Sequence, residues 1–314
     1  MISVNRTFPF IFILLSLVAC KNSSPVKKEA NVDSTLFPSE LVNFVPYKSN
    51  PVFSHGDSSA WDKQIRERGY ILKEDDGYHM WYTGYKKMDD HDTRLLGYAN
   101  SPDGINWTRY AHNPIFRGSW TEDMMVVKSG NTYTMFAEGR GDTAHMLTST
   151  DKINWEDHGP LQIVYTNGQP LHPGPYGTPT VWVEDSTWYL FYERNDSSVW
   201  LASSKDRKLW TNVQDEPVLD SGPEPYDKYG VALNQVIKYN GMYYGYYHGT
   251  ALKDWSEWST NVAVSSDLRT WKKYPANPIM KENKSSGILV HDGSQYRLYT
   301  MHPEVNLHFP SREK

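Results

Sequence analysis

Apolar segments recur along this chain at a nearly constant interval. Five of them are rich in aromatic residues and follow a short turn: YHMWYT (78–83), YTMFAE (133–138), WYLFYE (188–193), YYGYYH (243–248) and YRLYTM (296–301). With Met80, Met135, Leu190, Gly245 and Leu298 taken as equivalent, the intervals are 55, 55, 55 and 53 residues. A short apolar strand precedes each turn, so the pattern predicts five β-hairpins.

A second repeated pattern is a polar turn that ends in tryptophan. It reads SPDGINW at 101–107, and Ser-x-Asp with a Trp at the same spacing returns from Ser149, Ser204 and Ser265. Ser and Asp side chains accept hydrogen bonds from nearby backbone N–H groups, and a Trp ring can pack between neighbouring sheets. We therefore expect a structural role for all four copies.

A period near 55 residues, with about four strands in each unit, predicts an all-β protein that forms a five-bladed β-propeller. A Pro-apolar segment follows each turn tryptophan, and one further copy, Pro51-Val52-Phe53, precedes the first repeat. We expect the N-terminal strand around Val52 to complete blade five and thereby to remove a free sheet edge.

The N-terminus has the features of a secretion signal. Arg6 precedes an apolar run from Phe8 to Val18 that is too short to span a membrane. The run ends in Leu-Val-Ala-Cys, which resembles a bacterial lipobox and implies lipidation of Cys20, the only cysteine in the chain. The alternative is an ordinary signal peptide. We predict a lipoprotein signal peptide at 1–19, a flexible tether at 20–45 and a catalytic propeller at 46–314, anchored by lipid in the cell envelope.

Composition and charge narrow the function. The chain of 314 residues has 39% hydrophobic and 14% aromatic residues, enough for a sizeable core, and its formal net charge of −5 argues against nucleic acid as a partner. The sequence has no residue cluster with metal-ligand spacing and no nucleotide-binding motif, so we predict no cofactor. A structural Ca²⁺ ion in the channel stays open as an alternative.

The propeller topology brings polar residues from distant repeats to one rim, because the first strand of each blade begins there and the second ends there. The set contains Arg68, Glu122, Asp123, Asn234, Glu138, Glu193, His248 and His302, and a long loop before the first hairpin adds Asp62. Crowded carboxylates raise one another's pKa, and a carboxylic acid paired with a carboxylate can cleave a glycosidic bond. We therefore predict a carbohydrate substrate.

Four segments resemble the five-bladed glycoside hydrolases of families 43, 62, 32, 68 and 117. They are MWYTGY (80–85), GYANSPDGINWTRYAHNPIF (97–116), EDMMVVKSGNTYTMFAEG (122–139) and GTPTVWVEDSTWYLFYE (177–193), and the resemblance extends over roughly residues 48–302. It implies a glycosidase in which Asp123 is the carboxylate that orients the site.

The resemblance departs from the family pattern in blades one and three. The blade-one acid aligns on Arg68, so Asp62 is the nearest candidate for base or nucleophile. Position 177, where the acid of blade three is expected, is glycine; Glu193 is therefore the predicted general acid, with Glu138 in reserve. Substrate-binding roles are predicted for Arg68, Glu122, Arg140, Arg194, Asn234, His248 and His302.

Two other functions compete with this prediction. A surface propeller that binds glycans without cleaving them would need aromatic platforms but no matched acid and base. A sialidase-like enzyme is the other alternative, because the repeated turn approximates an Asp-box, although sialidases usually have six blades.

Overall fold

In the computed structural model, residues 36–87 and 94–311 are described, and they form five sheets. Four sheets are antiparallel, and the sheet of blade three also contains one parallel pair, between the strands at 162–164 and 209–212. Each sheet is one blade, and the hairpins at 70–84, 122–139, 177–194, 230–250 and 285–302 form the inner half of each blade. Blade one contains β2 (Tyr70–Glu74), β3 (Gly77–Gly84), β4 (Leu95–Ser101) and β5 (Thr108–Arg109), and blade two contains β6 (Glu122–Ser129), β7 (Thr132–Gly139), β8 (Thr143–Ser149) and β9 (Glu156–Pro160).

Blade three contains β10 (Gln162–Val164), β11 (Gly177–Glu184), β12 (Thr187–Arg194), β13 (Ser198–Ser204), β14 (Leu209–Asn212) and β15 (Leu219–Asp220). Blade four contains β16 (Gly230–Tyr239), β17 (Met242–Thr250), β18 (Ser259–Ser265) and β19 (Lys272–Lys273), and blade five contains β1 (Phe44–Pro46), β20 (Ser285–His291), β21 (Tyr296–His302) and β22 (Asn306–Pro310).

Within residues 36–87 and 94–311, helical structure is confined to two short segments. An α-helix, α1 (Ser39–Val42), precedes β1, and a 3₁₀ helix spans Pro225–Asp227 before β16. Among the described residues, no helix has the length and hydropathy needed to cross a bilayer. The prediction of a five-bladed, all-β propeller is confirmed, and the blade number does not match the six blades usual for a sialidase.

The four polar turns have the hydrogen bonds that their sequences predict. In the first copy the Asp103 carboxylate accepts the N–H groups of Ile105 and Asn106, each at 2.8 Å, and the Ser101 hydroxyl accepts the Gly104 N–H at 2.9 Å. The same Ser-to-Asp contact recurs at residues 149–151, 204–206 and 265–267. These residues therefore close turns rather than line the central cavity.

Three of the four turn tryptophans contact a neighbouring blade. Trp155 of blade two contacts Trp81 of blade one with ring centroids 6.0 Å apart, and Trp210 of blade three contacts Phe136 of blade two at 5.8 Å. Trp271 of blade four lies 6.0 Å from a ring of blade three in the same way. Since each ring packs edge-on against the middle of the preceding sheet, the repeated turns stabilise the ring of blades.

An N-terminal strand closes blade five, as predicted. The strand β1 pairs antiparallel with β22, and the Val52 N–H donates to the Val305 carbonyl at 2.9 Å. The outermost pairing starts at Phe44, earlier than expected, and the Leu41 carbonyl of α1 accepts the buried Tyr246 hydroxyl at 2.7 Å. The predicted domain boundary at 45/46 therefore lies too late, because residues 36–45 pack within the propeller. Cys20 and the predicted signal peptide lie outside the described residues.

Candidate active site

One cavity of about 430 Å³ lies where the first strands of the blades begin. Carboxyl groups form much of its wall, and two arginines, two histidines, three tryptophans, one threonine and two serines complete it. The carboxylates are Glu67, Glu122, Asp123, Glu138, Asp142, Glu193, Asp196 and Asp254; the other residues are Arg66, Arg94, His248, His302, Trp120, Trp255, Trp258, Thr178, Ser285 and Ser286. The predicted gathering of acids and histidines at one mouth is thus present in the structure.

Equivalent positions of different blades supply much of this wall. The residue near the end of the second strand is Glu138 in blade two, Glu193 in blade three, His248 in blade four and His302 in blade five. All four line the cavity. The sequence repeat therefore positions the site, while the residue type at each repeat determines its chemistry.

The first strands of blades two, three and four each carry one extra residue near their start. The pairing shifts between Glu122 and Met125, between Gly177 and Thr180, and between Leu233 and Gln235. Within two of these bulges, Asp123 and Thr178 have positive φ angles of 43° and 42°. Such backbone is costly for residues other than glycine, and β-bulges are frequent next to active sites because they redirect a side chain.

The fully buried Arg68 guanidinium forms hydrogen bonds to all three bulges and does not itself line the cavity. Its Nη1 donates to the Leu233 carbonyl at 3.0 Å, to the Asn234 carbonyl at 3.0 Å and to the Thr180 hydroxyl at 2.8 Å. Its Nη2 donates to the Pro179 carbonyl at 2.8 Å and to the Asp123 carbonyl. One side chain of blade one thereby holds the starts of three other blades.

Three carboxylates of blades two and three are held by backbone N–H groups. Asp123 Oδ1 accepts the Arg68 N–H at 2.9 Å, and Glu138 Oε2 accepts the Thr178 N–H at 2.7 Å. Glu193 accepts two, from Gly177 at 3.2 Å and from Asp196 at 2.5 Å. These hydrogen bonds fix the orientations of the three carboxyl groups, as acid–base chemistry requires.

Gly177 lies between two of these acids. A Cβ atom built at this position would be 2.1 Å from Glu138 Oε2 and 2.8 Å from Glu193 Oε1. The glycine is therefore required by the approach of the two glutamates, and it does not mark an empty site. The carboxyl groups nearest to position 177 are therefore those of the two strand-end glutamates.

Burial and mutual repulsion keep protons on this cluster. Burial and the Asp196 charge raise the pKa of Glu193 to about 8, and burial raises the pKa of Glu67 to about 7. For Glu138, burial and the nearby Asp123 and Glu193 raise the pKa well above its usual value. The pKa of Asp123 also rises on burial, although Arg68 opposes the rise. Carboxyl groups whose pKa values are pushed apart can act as acid and base at the same pH.

The cationic residues of the cavity are already engaged. Arg94 forms a 2.9 Å ion pair with Glu122, and its guanidinium carbon lies 4.4 Å from the centroid of the Trp120 ring. Arg66 donates from Nε to His302 Nε2 at 2.7 Å. Burial lowers the pKa of His302 to about 4 and that of His248 to about 3, so both imidazoles are neutral near pH 7.

Asp62 does not line the cavity, contrary to its predicted place at the mouth. Its carboxylate is buried and forms a 2.8 Å ion pair with Arg109 of the outermost strand of blade one, and it accepts the Tyr82 hydroxyl at 3.1 Å. An acid held between an arginine and a tyrosine in this way stabilises the blade. The sequence could not reveal this, because Arg109 lies 47 positions further along the chain.

The substrate-binding predictions divide in the same way. Glu122, His248 and His302 line the cavity, whereas Arg68, Arg140, Arg194 and Asn234 do not. Arg68 is buried beneath the site, and Asn234 supports His248 through a 2.8 Å contact with Nδ1. Arg194 donates to the His172 carbonyl at 3.0 Å, and Arg140 is exposed. Proximity of these arginines to the strand ends was the misleading signal.

Several wall residues were not predicted as site residues. Asp142 and Asp196 lie in the turns that follow β7 and β12, three or four positions after the strand-end glutamates. Their place in the repeat could have identified them. Trp255, Trp258 and Arg94 come from loops that the repeat does not cover, so the periodicity gave no signal for them.

Comparison with known proteins agrees with this architecture. No protein-family model matches the chain. A curated 1,2-β-oligomannan phosphorylase from Thermoanaerobacter sp. (strain X514) is 22% identical over 210 residues, which cover 62% of this chain and 67% of that protein.

Solved structures match over most of their length. A β-1,2-mannobiose phosphorylase from Listeria innocua superposes with a TM-score of 0.62 at 15% identity, covering 85% of this chain and 96% of its own. The fold is that of the five-bladed propeller glycoside hydrolases and phosphorylases. A second structure, described with the GH130 mannoside phosphorylases and the hydrolases among them that target β-1,2 mannosidic linkages, has a TM-score of 0.64 at 16% identity and covers 87% of this chain and 94% of its own.

Proposed function

We propose that this protein is a glycoside hydrolase that cleaves a β-mannosidic bond within the acid-lined cavity. The observation that carries the proposal is the set of carboxyl groups of blades two and three that backbone N–H groups hold in place. Within this set, burial and Asp196 raise the pKa of Glu193 to about 8, whereas Arg68 opposes the rise that burial causes in the pKa of Asp123. The sugar class follows from the relatives, which act on β-1,2-linked mannosides by their descriptions.

Each carboxylate has a role in this proposal. Glu193, protonated near pH 7, donates its proton to the leaving oxygen of the glycosidic bond. Asp123, whose ionised form Arg68 favours against the opposing effect of burial, either assists the attacking water or stabilises positive charge on the sugar in the transition state. Glu138 interacts electrostatically with both Asp123 and Glu193, and in this proposal its own carboxyl group holds a proton next to them. Water takes the glycosyl group, so the products are two free sugars.

Phosphorolysis is the second candidate, because relatives of this chain are phosphorylases and two arginines line the cavity. Phosphate is an anion that needs several uncommitted cationic or N–H donors. Here Arg94 is paired with Glu122, Arg66 is bonded to His302, and eight Asp and Glu side chains line the cavity against two arginines. The charge balance therefore favours water over phosphate as the acceptor.

The test is an assay of β-1,2-mannobiose cleavage with and without inorganic phosphate, followed by chromatography. We expect mannose in both conditions and no sugar 1-phosphate. Glu193→Gln and Asp123→Asn should each lower kcat/KM by about 10²–10⁴-fold, the usual contribution of a positioned acid or base. Glu216→Gln, an exposed glutamate of blade three, is the matched control and should be unchanged.

Two results would count against the proposal. Phosphate-dependent cleavage with formation of a sugar phosphate would make the protein a phosphorylase. Binding of mannosides without any turnover would make it a glycan-binding propeller.

A further inference from the structure

The loop between β17 and β18 of blade four places aromatic surface beside the acids. Trp255 and Trp258 of this loop line the cavity, and Trp255 is 42% exposed. Large exposed hydrophobic side chains are few among the described residues, and three of them, Tyr229, Leu252 and Trp255, belong to this edge of blade four. An exposed apolar patch at the mouth of a polar cavity is typical of a ligand-binding surface.

The Trp258 ring is fixed from three directions. Its backbone N–H donates to Asn283 Oδ1 at 3.0 Å, and the His248 ring packs perpendicular to it with centroids 4.9 Å apart. A Cβ atom at Gly230 would lie 2.9 Å from the ring, so the absence of a side chain there makes room for it. Trp258 therefore gives a fixed surface against which Trp255 can pack.

Trp255 is held in a strained conformation on this surface. Its φ angle is 55°, which is unfavourable for a bulky residue, and its ring centroid lies 6.1 Å from that of Trp258. The indole N–H donates to the Tyr229 carbonyl at 3.1 Å, and the backbone N–H donates to the Leu252 carbonyl at 3.1 Å. The polar group of the ring is thus satisfied by protein, and its faces are left for apolar contact.

We propose that Trp255 and Trp258 form a platform that binds a second sugar of the substrate, next to the sugar whose bond is cleaved. This inference rests on the proposed function, because it takes the acids of blades two and three as the reacting end. The faces of a pyranose carry C–H groups that pack on an indole ring. Asp254 lies beside the platform, and hydrogen bonds from Ser256 lower its pKa, so its carboxylate is ionised and can accept sugar hydroxyls.

The size of the cavity agrees with an oligosaccharide. Its 430 Å³ falls within the range of roughly 300–1,000 Å³ for pockets that hold drug-sized ligands. A disaccharide is of that size, so the cavity has room for the reacting sugar and a second one beside it. The platform therefore selects glycans of at least two units and contributes binding to the sugar beyond the cleaved bond.

The experiment measures binding in the inactive Glu193→Gln background by titration calorimetry, with β-1,2-mannotriose and mannose as probes. Trp255→Ala should weaken mannotriose binding by about tenfold or more, as truncation of an aromatic anchor commonly does. Trp255→Phe keeps an aromatic ring and should retain most of the affinity. Leu209→Ala, which removes an equally exposed side chain from blade three, should have no effect.

The outcomes separate this inference from the proposed function. Equal affinity of the Trp255→Ala variant and its parent for mannotriose would overturn the platform, as would a parent that binds mannotriose no better than mannose. A Trp255-dependent affinity in a wild-type protein that cleaves no mannoside would support the platform and overturn the hydrolase. Thermal unfolding of each variant verifies that the exposed substitution leaves the fold intact.

Discussion

Glu193 and Asp196 show how one neighbouring charge, added to the effect of burial, raises the pKa of a carboxyl group in the site. The two residues are three positions apart, and Glu193 accepts the backbone N–H of Asp196. Burial raises the pKa of Asp196 to about 6, so its carboxylate is ionised at pH 7 to 8 and opposes ionisation of Glu193. The backbone bond fixes the position of Glu193, while the side-chain charge of Asp196 tunes its pKa.

This pair predicts a shift in the pH profile. In the wild type, kcat/KM should fall as pH rises through about 8, where Glu193 loses its proton. Asp196→Asn removes the repelling charge and retains the backbone N–H, so the pKa of Glu193 should fall and the alkaline limb should move to lower pH. A limb that stays in place would contradict the role of Glu193 as the acid. Asp185→Asn, in the exposed turn after β11, is the control.

The place of a residue in the site could be predicted where the sequence repeat covers it. It could not be predicted where it depends on a contact between residues that are far apart in the sequence. The strand-end positions of Glu138, Glu193, His248 and His302 follow from the interval near 55 residues. The meaning of Gly177 does not, because it depends on two carboxylates that approach it from different blades. Asp62 was misplaced for the same reason, since its partner Arg109 could not be identified before the blade was assembled.

At the scale of elements, the bulged strands depend on one side chain. Arg68 makes hydrogen bonds to carbonyl groups of three blades and has no exposed surface. The sequence indicated the starts of these strands but not their bulges, because a bulge is specified by the groups that accept or donate across the channel. The positions of Asp123 and Thr178 in the cavity follow from this arrangement.

Replacement of Arg68 should therefore destabilise the protein strongly. Arg68→Met leaves buried carbonyl groups of three blades without their donor and removes the positive charge that faces the Asp123 carboxylate. Removal of one partner from a buried charged network costs about 3–5 kcal/mol. Chemical denaturation should show this loss in the free energy of unfolding. Arg68→Lys restores a charge but cannot make five hydrogen bonds, so we expect an intermediate loss. Arg269→Met, at an exposed site in blade four, should change stability little, and a similar loss there would contradict the argument.

At the scale of the whole molecule, ring closure depends on residues 36–46. Leu41 is fully buried, Phe37 and Val42 are nearly so, and β1 forms the outer edge of blade five. The closing strand was predictable from the orphan Pro-apolar segment before the first repeat. The helix that precedes it was not, since its four residues carry no periodic signal.

Leu41→Ala tests whether this segment stabilises the entire propeller. Loss of a fully buried leucine side chain should cost about 2–5 kcal/mol in the free energy of unfolding, and unfolding should remain a single cooperative transition. Differential scanning calorimetry measures both quantities. Leu209→Ala, at an exposed leucine, is the control, and an equal effect of the two substitutions would contradict a closing role for α1.

Closure of blade five also determines which strands can pair early and which must pair late during synthesis of the chain. Asn50 and Leu307 share hydrogen bonds although 257 positions separate them. During synthesis β1 emerges from the ribosome long before its partner β22, so β1 stays unpaired while the first four blades are made. Blade five can therefore close only after β22 has been translated. A nascent chain arrested before residue 306 would expose an unpaired strand edge to chaperones and proteases.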